Sequence, residues 1–309
     1  MDILEVSELN VAFPTRYGLV RASQNVNFSV KEGEICVLVG ETGSGKTVIG
    51  QAILHLLPQN AKISGSILYA GEEILSISDQ KFSRLRGHEI SLVPQNPTDS
   101  LDPLMRCGQQ IAEVLDICGT SREDQLSRTT SILSDLSFSD PELVAASYPH
   151  MLSGGMRQRL TTGIALAASP RLLIADEPTK GFDYTARKRT VDMFLDLERM
   201  GIDSILMITH DLVFAEMIAD TAGVLYSGEL VEFGPAADVF SSPLHPYTKG
   251  LVAALPKNGM TPMPGMSPGL ARLPNGCYFH NRCATPCEEN SVHPVMRKVC
   301  GRFVRCNRC

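Results

Sequence analysis

The sequence predicts an α/β fold, a mostly parallel sheet with helices on both faces, followed by a small cysteine-rich C-terminal module. Three observations carry that prediction. Residues 35–39 form an unbroken apolar run, the pattern of a strand buried on both sides, and a glycine-rich loop and helical spacing follow at once. Apolar runs return at 172–175, 204–208 and 222–226 with helical stretches between them, and such alternation builds a parallel sheet through crossover helices. Residues 277–309 hold six of the nine cysteines and a local charge of +4, on a body that carries −10.

Taken in order, residues 4–11 and 26–30 alternate roughly as strands, separated by the turn-rich Pro14-Thr15-Arg16-Tyr17-Gly18. Gly33 turns the chain into the strand at 35–39, and helical spacing then runs from Lys46 to about Leu57. Further strands are expected at 66–69 and 90–93. From about 97 to 165 the character changes to helical, with helices at 106–118 and 123–136; Ser121 and Asp124 offer the second a capping box, and an inserted helical subdomain is the simplest reading. Residues 256–276 mix Pro, Gly and Met without periodicity and read as a linker, so the expected division is 1–255 and 256–309. Cys36, Cys107 and Cys118 lie in apolar patterns and are expected in the core.

The 309 residues are 43% hydrophobic and 20% charged, with a mean hydropathy of +0.01, which supplies a sizeable core and excludes disordered or collagen-like chains. No apolar stretch approaches the ~18 residues of a membrane span. MDILEVSELN carries acids where a secretory signal carries bases, so an intracellular protein is expected. The net charge of −6 argues against nucleic-acid binding through a broad basic surface.

Gly40-Glu41-Thr42-Gly43-Ser44-Gly45-Lys46-Thr47 fits the phosphate-loop pattern G-x-x-x-x-G-K-[ST]. Glycines let backbone N–H groups curl around phosphate oxygens, Lys46 reaches the β- and γ-phosphates, and the Thr47 hydroxyl ligates magnesium. A chance match in a chain of this length is about a one-in-a-hundred event on average composition, and the strand before and helix after it are the context the chemistry needs. Residues 171–175 form a second apolar strand ending in Asp176 and Glu177, suited to a magnesium role and to orienting or deprotonating an attacking water. A strand ending in two acids is common by itself and gains meaning only beside the phosphate loop.

Leu152-Ser153-Gly154-Gly155-Met156-Arg157-Gln158-Arg159 resembles the signature of ATP-binding cassette (ABC) proteins, and with it Gln95 resembles the Q-loop glutamine and His210 the switch histidine. The resemblance covers about residues 1–255. It implies a P-loop NTPase ABC cassette, with a mostly parallel core, an antiparallel β-subdomain and an inserted helical subdomain. It also implies ATP hydrolysis, with Gly40–Thr47, Gln95, Asp176 and a stacking aromatic, Tyr17 in preference to Phe13, at the nucleotide. Magnesium would be held through Thr47, Gln95 and Asp176, and catalysis carried by Glu177 and His210. In the family Ser153, Gly154, Gly155 and Met156 close over ATP held by the opposite subunit, so a homodimer or a related second cassette is expected. Met156 stands where glutamine is common, and Lys180-Gly181-Phe182-Asp183 keeps only the Asp183 of the usual dimer-contact segment.

Residues 95–103, His245-Pro246-Tyr247-Thr248 and the run from Gly276 to Cys283 together resemble the oligopeptide/dipeptide/nickel importer ATPases. That implies transmembrane permease subunits, an extracytoplasmic solute-binding protein, a place at the cytoplasmic face of the membrane and no nucleic acid. The rival reading is a soluble ABC-type ATPase in DNA repair or translation, whose members typically carry two cassettes or a long coiled-coil insertion. The tail spacing is C-x5-C-x3-C-x12-C-x5-C-x2-C. By resemblance, a [4Fe–4S] cluster would use Cys277, Cys283, Cys287 and Cys300, with Cys306 and Cys309 as substitutes, and Arg282, Arg297 and Lys298 would offset its charge; zinc and plain thiols stay open.

Overall fold

A computed structural model describes the chain apart from Tyr17 and residues 181–183, 198–201, 203, 288–291 and 309, with the backbone alone described at 184–186. The chain divides into two compact units, Met1–Ile77 with Leu206–Cys309, and Ser78–Ile205.

The first unit opens on β1 (Asp2–Thr15) and β2 (Gly18–Lys31), an antiparallel hairpin far longer than the two short strands that alternation predicts. Register shifts between Asp2 and Leu4, Val6 and Leu9, Leu9 and Val11, and Val11 and Ala12 explain the difference: each irregularity breaks the period of two by which a strand is read. β3 (Ile35–Val39) stands where expected. α1 (Lys46–Ile53) stops short of Leu57 because His55 takes a left-handed φ of 52°. The Leu56 N–H reaches the Gln51 carbonyl (2.8 Å) and the His55 N–H that of Ala52 (3.2 Å), the paired closure that ends a helix. β4 (Lys62–Tyr69) and β5 (Glu72–Glu73) complete an antiparallel sheet in the order β2-β1-β4-β5.

In the second unit, α2 (Asp79–Phe82) precedes β6 (Ile90–Val93). The helical stretch then comprises α3 (Pro97–Ser100), α4 (Cys107–Ile117), α5 (Arg122–Asp135), α6 (Pro141–Ala146) and α7 (Gly154–Leu166). β7 (Leu172–Asp176) pairs in parallel with β6, and α8 (Tyr184–Asp196) follows. α4 and α5 match their expected spans within a residue; Gly119 (φ 81°) and Ser137 (φ 60°) end them in the left-handed region, and the Ser121 hydroxyl caps α5 by accepting from the Asp124 N–H (3.3 Å). Cys107 is buried as expected. Cys118 is not: it sits exposed at the end of α4, past the face that buries Ile111 and Leu115, its Sγ 3.6 Å from His88 Nδ1.

β8 (Ser204–Thr209) runs through the point where the chain returns to the first unit, followed by α9 (Leu212–Ile218), β9 (Thr221–Tyr226), β10 (Glu229–Pro235), α10 (Ala236–Ser241) and α11 (Pro246–Ala253). β9 lies parallel to β3, as an α/β core requires, but β10 is antiparallel to β9. Only Ser227 (φ 48°) and Gly228 (φ 86°) join the two, and two residues with positive φ can make only a tight hairpin. The sheet is therefore mixed rather than parallel at this side. The tail continues it with β11 (Arg297–Val299) and β12 (Arg302–Val304), giving the order β3-β9-β10-β12-β11 in this unit. Arg302 on β12 reaches Glu232 on β10 at 3.1 Å, with 5% and 0% of the side chains exposed. Arg305 donates to the carbonyls of Leu230, Pro294 and Asn25. Among the described residues no helix is long and apolar enough to cross a membrane.

Candidate nucleotide-binding site

The phosphate loop leaves β3 with Gly40 at φ 154° and enters α1 with Gly45 at φ 102°. Both positions need glycine sterically, since a Cβ would lie 2.3 Å from the Leu225 carbonyl at Gly40 and 2.0 Å from the Ala22 carbonyl at Gly45. Lys46 is buried, and its Nζ donates to the carbonyls of Gly40 (2.7 Å) and Glu41 (3.0 Å). The Ser44 hydroxyl is buried with no partner among the described residues, and the first turn of α1 carries no acid to oppose the helix dipole. A buried cation bonded to loop carbonyls, an unsatisfied hydroxyl and an unopposed helix N-terminus together suit a polyanion. Thr42 and Gly43 are exposed, and Thr47 is half-buried in the first helical turn.

Glu41 is more than a loop position. Its backbone N–H donates to the Tyr247 hydroxyl (3.1 Å), and its carboxylate is paired with Arg282. Tyr247 belongs to the His245-Pro246-Tyr247-Thr248 segment. His245 is buried and neutral, its pKa pulled down to about 3 by burial, and its Nδ1 accepts from the Tyr247 N–H (3.0 Å) to start α11. The segment thus delivers a phenol to the phosphate loop. His210 is exposed just beyond β8; the next residue, Asp211, caps α9 by accepting from the Phe214 N–H (3.1 Å).

In the second unit, Asp176 and Glu177 close β7, both buried. Glu177 is held at φ 51°, a conformation that costs a non-glycine residue about 1–2 kcal/mol and is kept only where its surroundings impose it. Gln95 is half-exposed in the turn between β6 and α3. Ser153 caps α7, its hydroxyl accepting from the Met156 N–H (3.3 Å). Ser153 and Gly154 are exposed, Gly155 and Met156 half-buried, and a Cβ on either glycine would meet nothing within 4 Å. This helix start is open to an incoming group. Arg157 ties it down through Nε to the Pro149 carbonyl (2.8 Å) and Nη1 to Thr98 Oγ1 (3.3 Å), contacts that spacing alone does not indicate. Lys180 is exposed, while Tyr17 and Asp183 lie outside the described residues.

The tail departs from expectation. The Cys277 thiol is pushed up by burial and, further, by Cys306, Cys283 and Cys287 nearby. Cys300 is exposed, with φ 48°, in the turn between β11 and β12, whereas Cys306 is buried. Arg282 turns to Glu41, and Arg297 donates to the Cys306 carbonyl. Cys36, Cys107, Cys118, Cys277, Cys283, Cys287 and Cys300 are free thiols. Among the described residues no group of three or more His, Cys, Asp or Glu side chains is arranged to hold a metal ion. Cys309 lies outside the described residues.

The family model described as ABC transporter matches residues 23–180, just over half the chain, and spans both the phosphate loop and the signature. The chain belongs to the ABC transporter family. It is an ABC ATPase, and residues 231–289 match a second model, the oligopeptide/dipeptide transporter C-terminal region. An oligopeptide transport ATP-binding protein, OppD of Escherichia coli, is 39% identical over 98% of this chain and 92% of its own length. A dipeptide transport ATP-binding protein, DppD of Lactococcus lactis, is 40% identical over 91% and 82%. Among solved structures, the dimeric bacterial ABC transporter cassette MJ0796 superposes with a TM-score of 0.67 at 23% identity, covering 75% of this chain and 98% of that one. Clostridium perfringens cbiO1 superposes with a TM-score of 0.68 at 25% identity, covering 78% and 91%.

Proposed function

We propose that the chain is the ATP-hydrolysing subunit of a membrane importer of oligopeptides or dipeptides, working at the cytoplasmic face beside permease subunits and a second cassette, homologous or identical. The observation that carries this reading is the phosphate loop, with buried Lys46 bonded to loop carbonyls and the Ser44 hydroxyl left unsatisfied. Phosphate oxygens would accept from Ser44 and from the backbone N–H groups of 40–47, and Lys46 would exchange carbonyls for the β- and γ-phosphates. Thr47, Gln95 and Asp176 offer the hard oxygen donors that magnesium takes, and the ion would neutralise charge on the phosphate oxygens. Glu177 orients and deprotonates the attacking water, and His210 steadies the γ-phosphate. Ser153, Gly154, Gly155 and Met156, open to solvent, serve the nucleotide of the partner cassette. Asp183 is assigned to the seam between cassettes and Tyr17 to the adenine.

The match to the oligopeptide/dipeptide C-terminal region favours transport over DNA repair or translation, and relatives named for peptides favour peptides over nickel as cargo. An extracytoplasmic solute-binding protein completes the system. For the tail, Cys277, Cys283, Cys287 and Cys300, with Cys306 and Cys309 as substitutes, are the thiols from which an iron–sulfur or zinc centre would be drawn. The test of the main reading is purification of the tagged chain from its own membranes in mild detergent. Permease subunits and a second cassette should accompany it; recovery of the chain alone, or with nucleic-acid enzymes, would overturn the reading.

A further inference from the structure

We propose that Arg282, contributed by the C-terminal tail, is a positioning residue for nucleotide binding: it clamps Glu41 and so holds the phosphate loop in the shape that receives phosphate. The inference rests on the reading of residues 40–47 as an ATP site. The contact is bidentate, with Arg282 Nη2 donating to Glu41 Oε1 (2.9 Å) and Nη1 to Oε2 (3.2 Å). Nη1 also donates to Ser267 Oγ (3.0 Å) and Nε to the Pro264 carbonyl (3.0 Å), while the Ser267 hydroxyl donates to Glu41 Oε2. The Arg282 side chain is 6% exposed, and its guanidinium carbon lies 5.6 Å from the Tyr226 ring centroid and 5.9 Å from that of Phe279. A fork fixed on every side in this way is a built receptor for one carboxylate, not a surface ion pair.

Two physical consequences favour a role in binding. Lys46 directs hydrogen bonds to the carbonyls of Gly40 and Glu41, and must give them up to reach phosphate. The loop then needs anchors that stay in place, and Glu41 supplies them: its N–H on the Tyr247 hydroxyl and its carboxylate on Arg282 and Ser267. The second consequence is electrostatic. Glu41 puts a negative charge in a loop built for a polyanion; burial alone would raise its pKa, but Arg282 and Ser267 hold it below the ordinary carboxylate value. The fixed cation is what makes that charge tolerable beside a triphosphate.

The experiment is a double-mutant cycle on the full chain, with ATP affinity read by a fluorescent ATP analogue and turnover read separately. Arg282→Gln should weaken binding about tenfold, the scale of one hydrogen bond to a charged group, and raise KM for ATP while leaving kcat nearly unchanged. Arg282→Lys, which keeps the cation without the fork, should recover part of the loss. In a Glu41→Gln background, Arg282→Gln should weaken binding no further, because the charge it shields is gone. Wild-type affinity in Arg282→Gln, or an equal loss in both backgrounds, would overturn the proposal; should Arg282→Gln fold poorly, Arg282→Lys compared in the two backgrounds decides the same question. Lys46→Ala is the separate control: if it binds ATP normally, the reading of the loop itself falls, whereas its failure beside an indifferent Arg282→Gln refutes only the clamp.

Discussion

Arg302→Met removes a cation from the join between the tail and the rest of the first unit while keeping the apolar stem. The Glu232 carboxylate it faces is fully buried and accepts from Arg302 Nη1 (3.1 Å) and from the N–H groups of Leu244 and His245 (2.9 Å each). Arg302 also donates to the Asp238 carbonyl (2.8 Å), and its Cγ packs so closely on Gly234 that a Cβ there would lie 2.5 Å away. Methionine preserves that packing and isolates the loss of charge. Removing one partner of a buried ion pair costs about 3–5 kcal/mol, and the two backbone donors left on Glu232 place this case near 3 kcal/mol. At roughly 2–4 °C per kcal/mol for a large domain, Tm should fall by about 6 °C or more, read by calorimetry at fixed nucleotide concentration. Adding Glu232→Gln should return part of the loss, since no unpaired charge then stays buried. A fall of less than about 2 °C, or a double mutant no more stable than the single one, would refute the reasoning, given a scale of roughly 2 °C per kcal/mol.

Glu177→Gln should bind ATP normally and lose about 10²–10⁴-fold in turnover, the usual worth of a general base, in a single-turnover hydrolysis assay; unaltered hydrolysis would remove Glu177 from its role. Ser153→Arg should leave nucleotide binding to the isolated chain intact but block hydrolysis in the assembled transporter, because the helix start it occupies is open and the glycines beside it have free space around them; loss of binding by the isolated chain would contradict the assignment. His293 bonds the Glu229 carboxylate through Nε2 (2.7 Å) and the Gly276 carbonyl through Nδ1 (2.6 Å), and the bond to Glu229, against the effect of burial, raises its pKa above the ordinary 6.5. Its stabilisation is complete below that ordinary value and fades as pH climbs through the raised one, so the Tm gap between wild type and His293→Asn should narrow from mildly acidic to alkaline buffer. A gap that widens would show the sign to be wrong.

What the sequence makes legible follows from how locally each feature is encoded. Gly40–Thr47 is a contiguous motif whose residue types are dictated by close backbone approach, and β3 and β7 stand out as apolar runs. The helices α4 and α5 are legible because Gly119 and the Ser121 cap punctuate them. The hairpin β1–β2 is only half legible, since its register shifts scramble alternation, and β10 escapes the pattern although Ser227-Gly228 is a hairpin turn. The pairing of Glu41 with Arg282 spans 241 positions and that of Glu232 with Arg302 spans 70; no local pattern encodes either. Cysteine spacing offers the tail a plausible ligand set but cannot tell that Cys300 is exposed in a turn while Cys306 is buried. Cys118 resembles a core residue by its apolar neighbours, yet it lies one residue past the end of α4 and beyond its buried face.

The central claim, that this chain uses ATP to drive peptide import, is tested most directly by ATP turnover in proteoliposomes holding the whole transporter. Peptide-loaded binding protein should raise turnover in the wild type and leave the Glu177→Gln complex silent. Turnover indifferent to peptide and to the permease would contradict the account.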